Sequence, residues 1–531
     1  MSGESSSVAR SARAVSLAVL GSRVLGLVRE QVLAALFGAS REFDAFVTAF
    51  RIPNLLRDLF AEGALSAAFV ATFSKKLAGE GDKSAWRLAN LVLNALLLVV
   101  GVITIAGIVA APWLVNAIAP GFAQIADKSE LTTTLTRIMF PFLLFVALAA
   151  LAMGMLNAKR RFGIPASASM MFNIGSIAGG VGLAWIFTDR FEPRDRAMIC
   201  MALGTLIGGA MQWLIQLPSL RSVGYRYEPV LDWRDPGFRE VSRLLGPSVL
   251  GVAAVQINIF VDNWFASYFG NGAVTWLNCA FRLMQFPIGV FGVALGVATL
   301  PTVSAYAARG DLTEFRKTLA RSIRLALFLC VPSACGLAIL ARPIIAAIYQ
   351  HGKFDAFATE QTALCLQAFA IGLAGYAAIK VIGPTFYALG DSRTPMLIAV
   401  GSIVVNAGLD YVFAIKLGMK TPGLALSTAC VALTNLFLLL VFMRRKLQRI
   451  ETVALLKSLA KVVVASAGMS AAAYGVHVWL APVNRYLDVA GSITGSVIVF
   501  GALCKLLRVE ELGELIGAMR FGSKHDPTGT T

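Results

Sequence analysis

Residues 88–118 read LANLVLNALLLVVGVITIAGIVAAPWLVNAI, without one charged side chain. A helix needs about 20 apolar residues to cross a hydrocarbon core of roughly 30 Å, and this run exceeds that length. Only helices and closed barrels satisfy their backbone hydrogen bonds inside lipid. A barrel strand alternates apolar and polar residues, whereas this stretch is continuously apolar, so it reads as a transmembrane helix. The pattern recurs along the whole chain. Of 531 residues, 57% are hydrophobic and 15% charged, with mean hydropathy +0.72. A soluble domain carries about 25% charged residues. The expected fold is all-α and integral to the membrane.

Working outward from that run, fourteen spans are expected. The first six cover 12–36, 43–73, 88–118, 131–157, 164–188 and 197–219. A basic linker at 220–240 precedes 241–269, 273–306, 319–349, 359–388, 394–416 and 422–443. Two more follow at 456–480 and 487–508. The first apolar run follows Arg10 and Arg13 as a signal peptide would, but it contains Arg23 and Arg29 and no small-residue cleavage site. It reads as a retained helix. Loops after even-numbered spans hold most of the basic residues, including Lys75 and Lys76, Arg160 and Arg161, and Arg444 to Lys446. Odd-numbered loops are poorer, and their one cluster, at Arg190, Arg194 and Arg196, is offset by acidic neighbours. This asymmetry places both termini in the cytoplasm.

Formal net charge is +17. Because the cations lie mostly in short loops between apolar runs, orientation in the membrane explains most of them, and nucleic acid is not an expected partner. Neither the seven cysteines nor the three histidines show metal-site spacing, and the cysteines read as small buried hydrophobes.

The chain repeats internally. Ala49-Phe50-Arg51 recurs as Ala280-Phe281-Arg282, and Pro165 after Arg161 recurs as Pro395 after Arg393. An even number of spans separates the copies, so they share one orientation. The expected organisation is two pseudo-symmetric six-helix lobes, 1–219 and 241–450, with the substrate between them near the midplane. Two additional helices at 451–512 and a disordered polar tail at 513–531 complete the chain.

Charged residues stand where lipid is expected. Span 1 contains Ser22, Arg23, Arg29 and Glu30, and span 2 contains Arg51, Arg57, Asp58 and Glu62. Span 8 adds Arg282 and span 10 Lys380. A central arginine is costly in a bilayer unless it faces water or a partner. Internal ion pairing accounts for some such residues, and snorkelling for those near helix ends. Together they describe a cationic cavity suited to phosphate, whose oxygens match the guanidinium fork. A second set is acidic and polar. Asn258 with Asp262, and Asn406 with Asp410, are i,i+4 pairs, and Thr428 lies in span 12. These are hard oxygen ligands for a small cation, or else groups that hydrogen-bond between helices.

The motif Ser22-Arg23-Val-Leu-Gly-Leu-Val-Arg29-Glu30, then Asp44-Ala-Phe, then Arg51-Ile-Pro53-Asn54-Leu-Leu-Arg57-Asp58-Leu-Phe-Ala-Glu62-Gly63-Ala64 resembles the MurJ (MviN) family. That family comprises the lipid II flippases of the multidrug/oligosaccharidyl-lipid/polysaccharide exporter superfamily. The likeness continues through Phe281-Arg282-Leu-Met-Gln-Phe-Pro287 and His351-Gly-Lys353-Phe. It implies a transporter rather than an enzyme, in the bacterial inner membrane, serving peptidoglycan synthesis. Its substrate is lipid II, with membrane lipid around it; a monomer suffices, and cell-wall synthesis proteins are the expected protein contacts.

By the resemblance, Ser22, Arg23, Arg29, Arg57 and Arg282 are substrate-binding; Lys380, from its charge within span 10, is expected to add field. Glu30, Asp44 and Glu62 are the acidic positions, Asp44 pairing with a basic residue to close the periplasmic side. The C-terminal helices form a groove for the lipid tail. Asp262, Asn406, Asp410 and Thr428 match a sodium site found in some members, and no other cofactor is implied. The chain departs from the family at Glu30, where Asp is common, and at Gln285, where some members have Glu. A flippase for another polyprenyl-diphosphate sugar, or a multidrug cation exporter, is the alternative, although the exporter is expected to carry carboxylates rather than arginines in its first lobe.

Overall fold

A computed structural model describes residues 2–60, 64–449 and 451–521, with side-chain environments outside 2–16, 58–68, 244–255 and 518–521. Glu62 and the Asp58 side chain lie outside the described residues. Helices dominate, and no strand forms among the described residues. Eleven of them, counting through short breaks, are long and apolar enough to cross a membrane, and they match eleven of the fourteen expected spans. The other three expectations, 12–36, 43–73 and 241–269, fall on helices that carry more charge or are incompletely described. The protein is a multi-pass membrane protein.

Two compact units make up the chain. The first comprises Met1–Thr275 and Gly352–Phe354. Its helices are α1 (Ser2–Phe37), α2 (Arg41–Phe60), α3 (Ala64–Gly79), α4 (Asp82–Ile118), α5 (Lys128–Met139), α6 (Phe142–Ala158), α7 (Gly163–Phe187), α8 (Arg194–Leu214), α9 (Leu217–Ser222) and α10 (Pro236–Ala266). The expected span 131–157 breaks at Phe140 and Pro141 into α5 and α6, because proline lacks the amide a continuous ladder requires. The interior is aliphatic and aromatic, with Phe69, Phe73, Leu88, Val92, Leu151 and Met155 in one cluster.

The helices α7 and α8 cross on glycine. A Cβ on Gly204 would lie 2.3 Å from the Gly180 nitrogen, and one on Gly208 would lie 2.4 Å from the Phe172 carbonyl oxygen. Lipid tails are as apolar as leucine, so close backbone packing rather than hydrophobicity holds such a pair together. Gly204→Leu is therefore expected to cost about 3 kcal/mol or more through overpacking, read as a lowered unfolding temperature of the purified chain in detergent. An unchanged temperature would contradict the close crossing.

The basic linker is strapped to α4. Asn90 and Asn94, one turn apart, donate to the carbonyls of Arg226 (3.0 Å), Glu228 (2.9 Å) and Val230 (2.8 Å). Tyr225 and Tyr227 return their hydroxyls to the same asparagines at 2.7 and 3.0 Å. Asp235 then starts α10, accepting from the amides of Gly237 and Phe238 as an N-cap. On the opposite side, Gly38 and Gly352 take positive φ of 68° and 56°. A Cβ on Gly38 would sit 2.4 Å from the Lys353 carbonyl oxygen, and one on Gly352 would sit 2.3 Å from that of Ala35. The Lys353 amide donates to Ala35 at 2.8 Å, and its Nζ reaches Glu192 at 3.0 Å. Lys353 and Arg194 hold the Glu192 carboxyl below its ordinary value.

The second unit comprises Trp276–His351 and Asp355–Thr531. It holds most of α11 (Ala273–Pro287), then α12 (Val293–Ala308), α13 (Leu312–Ile339), α14 (Ala341–Tyr349), α15 (Ala356–Ala388), α16 (Arg393–Asp410), α17 (Lys420–Leu447), α18 (Thr452–Leu480), α19 (Arg485–Leu506) and α20 (Glu510–Phe521). Asp311, Asp355 and Asn484 cap α13, α15 and α19. Helix α15 lies against α12 and α17, with Gly296 facing the Lys380 carbonyl and Gly372 facing Ala429. All seven cysteines of the chain are free, and they are buried or half-buried.

Candidate functional site

The first unit gathers several of the expected residues. On α1, Ser22 accepts at its backbone carbonyl from Asn173 Nδ2 (3.2 Å), and Arg23 is exposed. Two turns on, Arg29 is only 7% exposed and Glu30 only 4%. The Arg29 guanidinium carbon lies 5.4 Å from the ring centroid of Phe50 on α2 and 5.0 Å from that of Phe172 on α7. The rings belong to a cluster, with Phe142 at 5.5 Å from Phe50 and 5.2 Å from Phe172. A guanidinium over aromatic faces keeps its charge at reduced desolvation cost and has its plane fixed. Further along α2, Arg51 Nη1 donates to Asn263 Oδ1 at 2.9 Å, and Asn263 also holds Thr48 and the Ile118 carbonyl. Arg57 is half-buried. Asp262, on α10, also lies in this unit and is half-buried.

Asp44 has no exposure and accepts four hydrogen bonds. Oδ2 takes Lys128 Nζ at 2.8 Å and the Gly272 amide at 2.7 Å. Oδ1 takes the amide and hydroxyl of Thr275 at 2.9 and 2.8 Å. Asp44 thereby caps the N-terminus of α11 from a different helix, where the macrodipole favours a negative charge. Lys128 is itself fully buried, donates to Asn271 at 3.1 Å, and stands 4.1 Å from the Phe122 ring. It is the basic partner that Asp44 was expected to find.

In the second unit, Arg282 is half-buried on α11 and Lys380 exposed on α15. The two copies of the repeated triplet are treated alike. Ala49 and Ala280 are fully buried, Phe50 and Phe281 each meet another phenylalanine ring, and Arg51 and Arg282 are half-buried. Asp410 is fully buried, accepting from Asn406 Nδ2 at 3.1 Å and from the Ser427 hydroxyl. Thr428 donates to the Leu424 carbonyl at 3.0 Å. Asp410, Asn406, Ser427 and Thr428 thus sit on α16 and α17 with carboxylate, amide and hydroxyl oxygens, a donor set suited to a small hard cation.

A family model described as Lipid II flippase MurJ matches residues 33–486. The chain belongs to the lipid II flippase MurJ family. A member from Burkholderia cenocepacia, named Lipid II flippase MurJ, is 37% identical over 81% of this chain and 83% of its own length. A solved structure titled Lipid II flippase MurJ, inward closed conformation, aligns with TM-score 0.76 at 25% identity, over 93% of this chain and 98% of that one. An inward-facing multidrug transporter of the MATE family aligns with TM-score 0.68 at 13% identity, over 80% and 94%, and shares the fold alone. Membership makes the protein a transporter and not an enzyme.

Sequence reasoning did not single out Lys128, Asn263 or Phe172, and met Phe50 only as part of the repeated triplet. The stretch around Lys128 carried one signal, a lysine between Asp127 and Glu130 in an otherwise charge-poor connection. The positions of the aromatic rings around Arg29 depend on how α1, α2 and α7 pack, which periodicity does not encode.

Proposed function

We propose that the protein moves lipid II, the polyprenyl-diphosphate-linked peptidoglycan precursor, from the cytoplasmic to the periplasmic leaflet of the bacterial inner membrane by alternating access. The observation that carries this reading is the family match over residues 33–486, which spans Arg51 and Arg57 of α2 and Arg282 of α11. Both termini lie in the cytoplasm, as the loop charges favour. Arg23, Arg29 and Arg57 of the first unit, and Arg282 and Lys380 of the second, are the cations that meet the diphosphate during the cycle. The polyprenyl tail lies along α18 and α19, whose faces carry exposed Val463, Val464, Val497 and Ile498. Asp44 and Lys128 hold the periplasmic end of α11.

The test is complementation of a conditional strain depleted of its own lipid II flippase. Rescue from lysis is expected. Failure of a well-expressed protein, repeated in a closely related host, would move the assignment to another lipid-linked sugar.

A sodium ion fits the Asp410 neighbourhood in donor chemistry, held by Asp410, Asn406 and Thr428. Bound there, it would neutralise a fully buried carboxylate. Sodium is expected to raise the unfolding temperature of the wild type over potassium, and not that of Asp410→Asn. At 100 times the dissociation constant the gain is about 2.7 kcal/mol. Equal shifts in both proteins would remove the sodium assignment.

A further inference from the structure

On the second unit, α16 and α17 are joined by a short turn and run antiparallel, yet they leave a cavity of about 290 Å³ between them. Its lining includes Leu397, Gly401 and Val405 of α16, and Val431, Leu438 and Phe442 of α17. From Leu397 to Val405 the groove follows about 12 Å of helix. Three polar residues line it, Ser402, Thr434 and Asn435, and the first two spend their hydroxyls on their own helices. Ser402 donates to the Ala399 carbonyl at 2.7 Å and Thr434 to that of Cys430 at 2.9 Å. Apart from Asn435 the remaining wall is apolar, and its rims, Leu397, Val405 and Phe442, are 64%, 42% and 39% exposed.

Gly401 in this slot differs from the glycines of the α7–α8 crossing. Glycines at the α7–α8 crossing meet backbone within 2.4 Å of a virtual Cβ, so there glycine permits contact. At Gly401 nothing lies within 4 Å. Here the missing side chain leaves room rather than closing it.

Both walls end in a cation at the same end. Arg393 precedes Leu397 by one turn on α16 and is exposed. On α17, Arg445 lies with its guanidinium carbon 5.7 Å from the Phe442 ring centroid, directly beyond the slot. Arg444 is also exposed, while Lys446 is held by Asp391 at 2.8 Å. Lys446 and the Thr394 amide keep the Asp391 carboxyl at about 2, so that loop carboxylate remains engaged at neutral pH. An apolar slot with an arginine mouth at the membrane surface has the polarity of an anionic lipid lying along the helices, chain inward and phosphate outward.

We infer that the α16–α17 groove is a binding site for an anionic phospholipid, with one acyl chain over Gly401 and the phosphate on Arg393 and Arg445. The loop-charge orientation puts it in the cytoplasmic leaflet. Its lining comes from α16 and α17, with no residue of α18 or α19.

The experiment is native mass spectrometry of the purified full chain, released from detergent with phosphatidylglycerol and phosphatidylethanolamine of equal chain length. Wild type is expected to retain phosphatidylglycerol about tenfold better. Gly401→Leu starts a side chain into the slot from a point where a Cβ meets no atom within 4 Å, and should cut that retention about tenfold, at an unfolding temperature no lower than wild type. Arg393→Gln with Arg445→Gln, both exposed, should equalise the two lipids. Equal retention by wild type, or retention unchanged in Gly401→Leu, would overturn the site. Displacement of phosphatidylglycerol by an equal concentration of a polyprenyl phosphate would overturn the choice of ligand.

Discussion

Asp44→Ala is expected to destabilise the protein by about 3–5 kcal/mol, more than Lys128→Met. The two partners of this buried pair are not equivalent. Removing the carboxylate strands a lysine with no exposure and orphans the Gly272 and Thr275 amides at the start of α11. Removing the lysine leaves Asp44 with three donors, two of them at a helix N-terminus where a negative charge is favoured. The double variant should therefore be less damaged than the sum of the singles, with a coupling of about 1–3 kcal/mol. Thermal unfolding of the purified chain measures all four corners of the cycle. Equal single effects with no coupling would show that the pair is incidental to the fold of the first unit.

The second large effect is at Arg29. Arg29→Ala is expected to abolish transport, and Arg29→Lys to lower it by about tenfold or more. Lysine keeps the charge but loses the plane that lies between Phe50 and Phe172, and with it the fork that matches a diphosphate. Membrane levels of both variants, measured alongside, separate this loss from misfolding. Full activity of Arg29→Lys would mean that a point charge suffices there.

The membrane architecture could be read from the sequence because bilayer thickness dictates span length. The run at 88–118 became α4, and Pro141 marked a break that proline forces. Positions within one helix could be read too, such as Asn406 below Asp410, which the structure brings to 3.1 Å. What could not be read was the register of one helix against another. Asp44 carried a visible charge, but its partner Lys128 lies 84 residues on, and its amide donors about 230 on. The linker looked merely basic, yet its placement depends on Asn90 and Asn94, neutral residues inside an apolar span. Glycine was ambiguous for the same reason. A glycine inside an apolar run permits either a bend or a close packing, and Gly296 serves a close approach to the Lys380 carbonyl.

The most direct measurement is the leaflet location of lipid II in a strain depleted of its own flippase and supplied with this protein, read with a probe added from outside. Wild type should restore externally accessible lipid II, and Arg29→Ala at equal membrane level should leave it inside. Accessible lipid II that stays at the depleted level with well-expressed wild type would contradict the assignment.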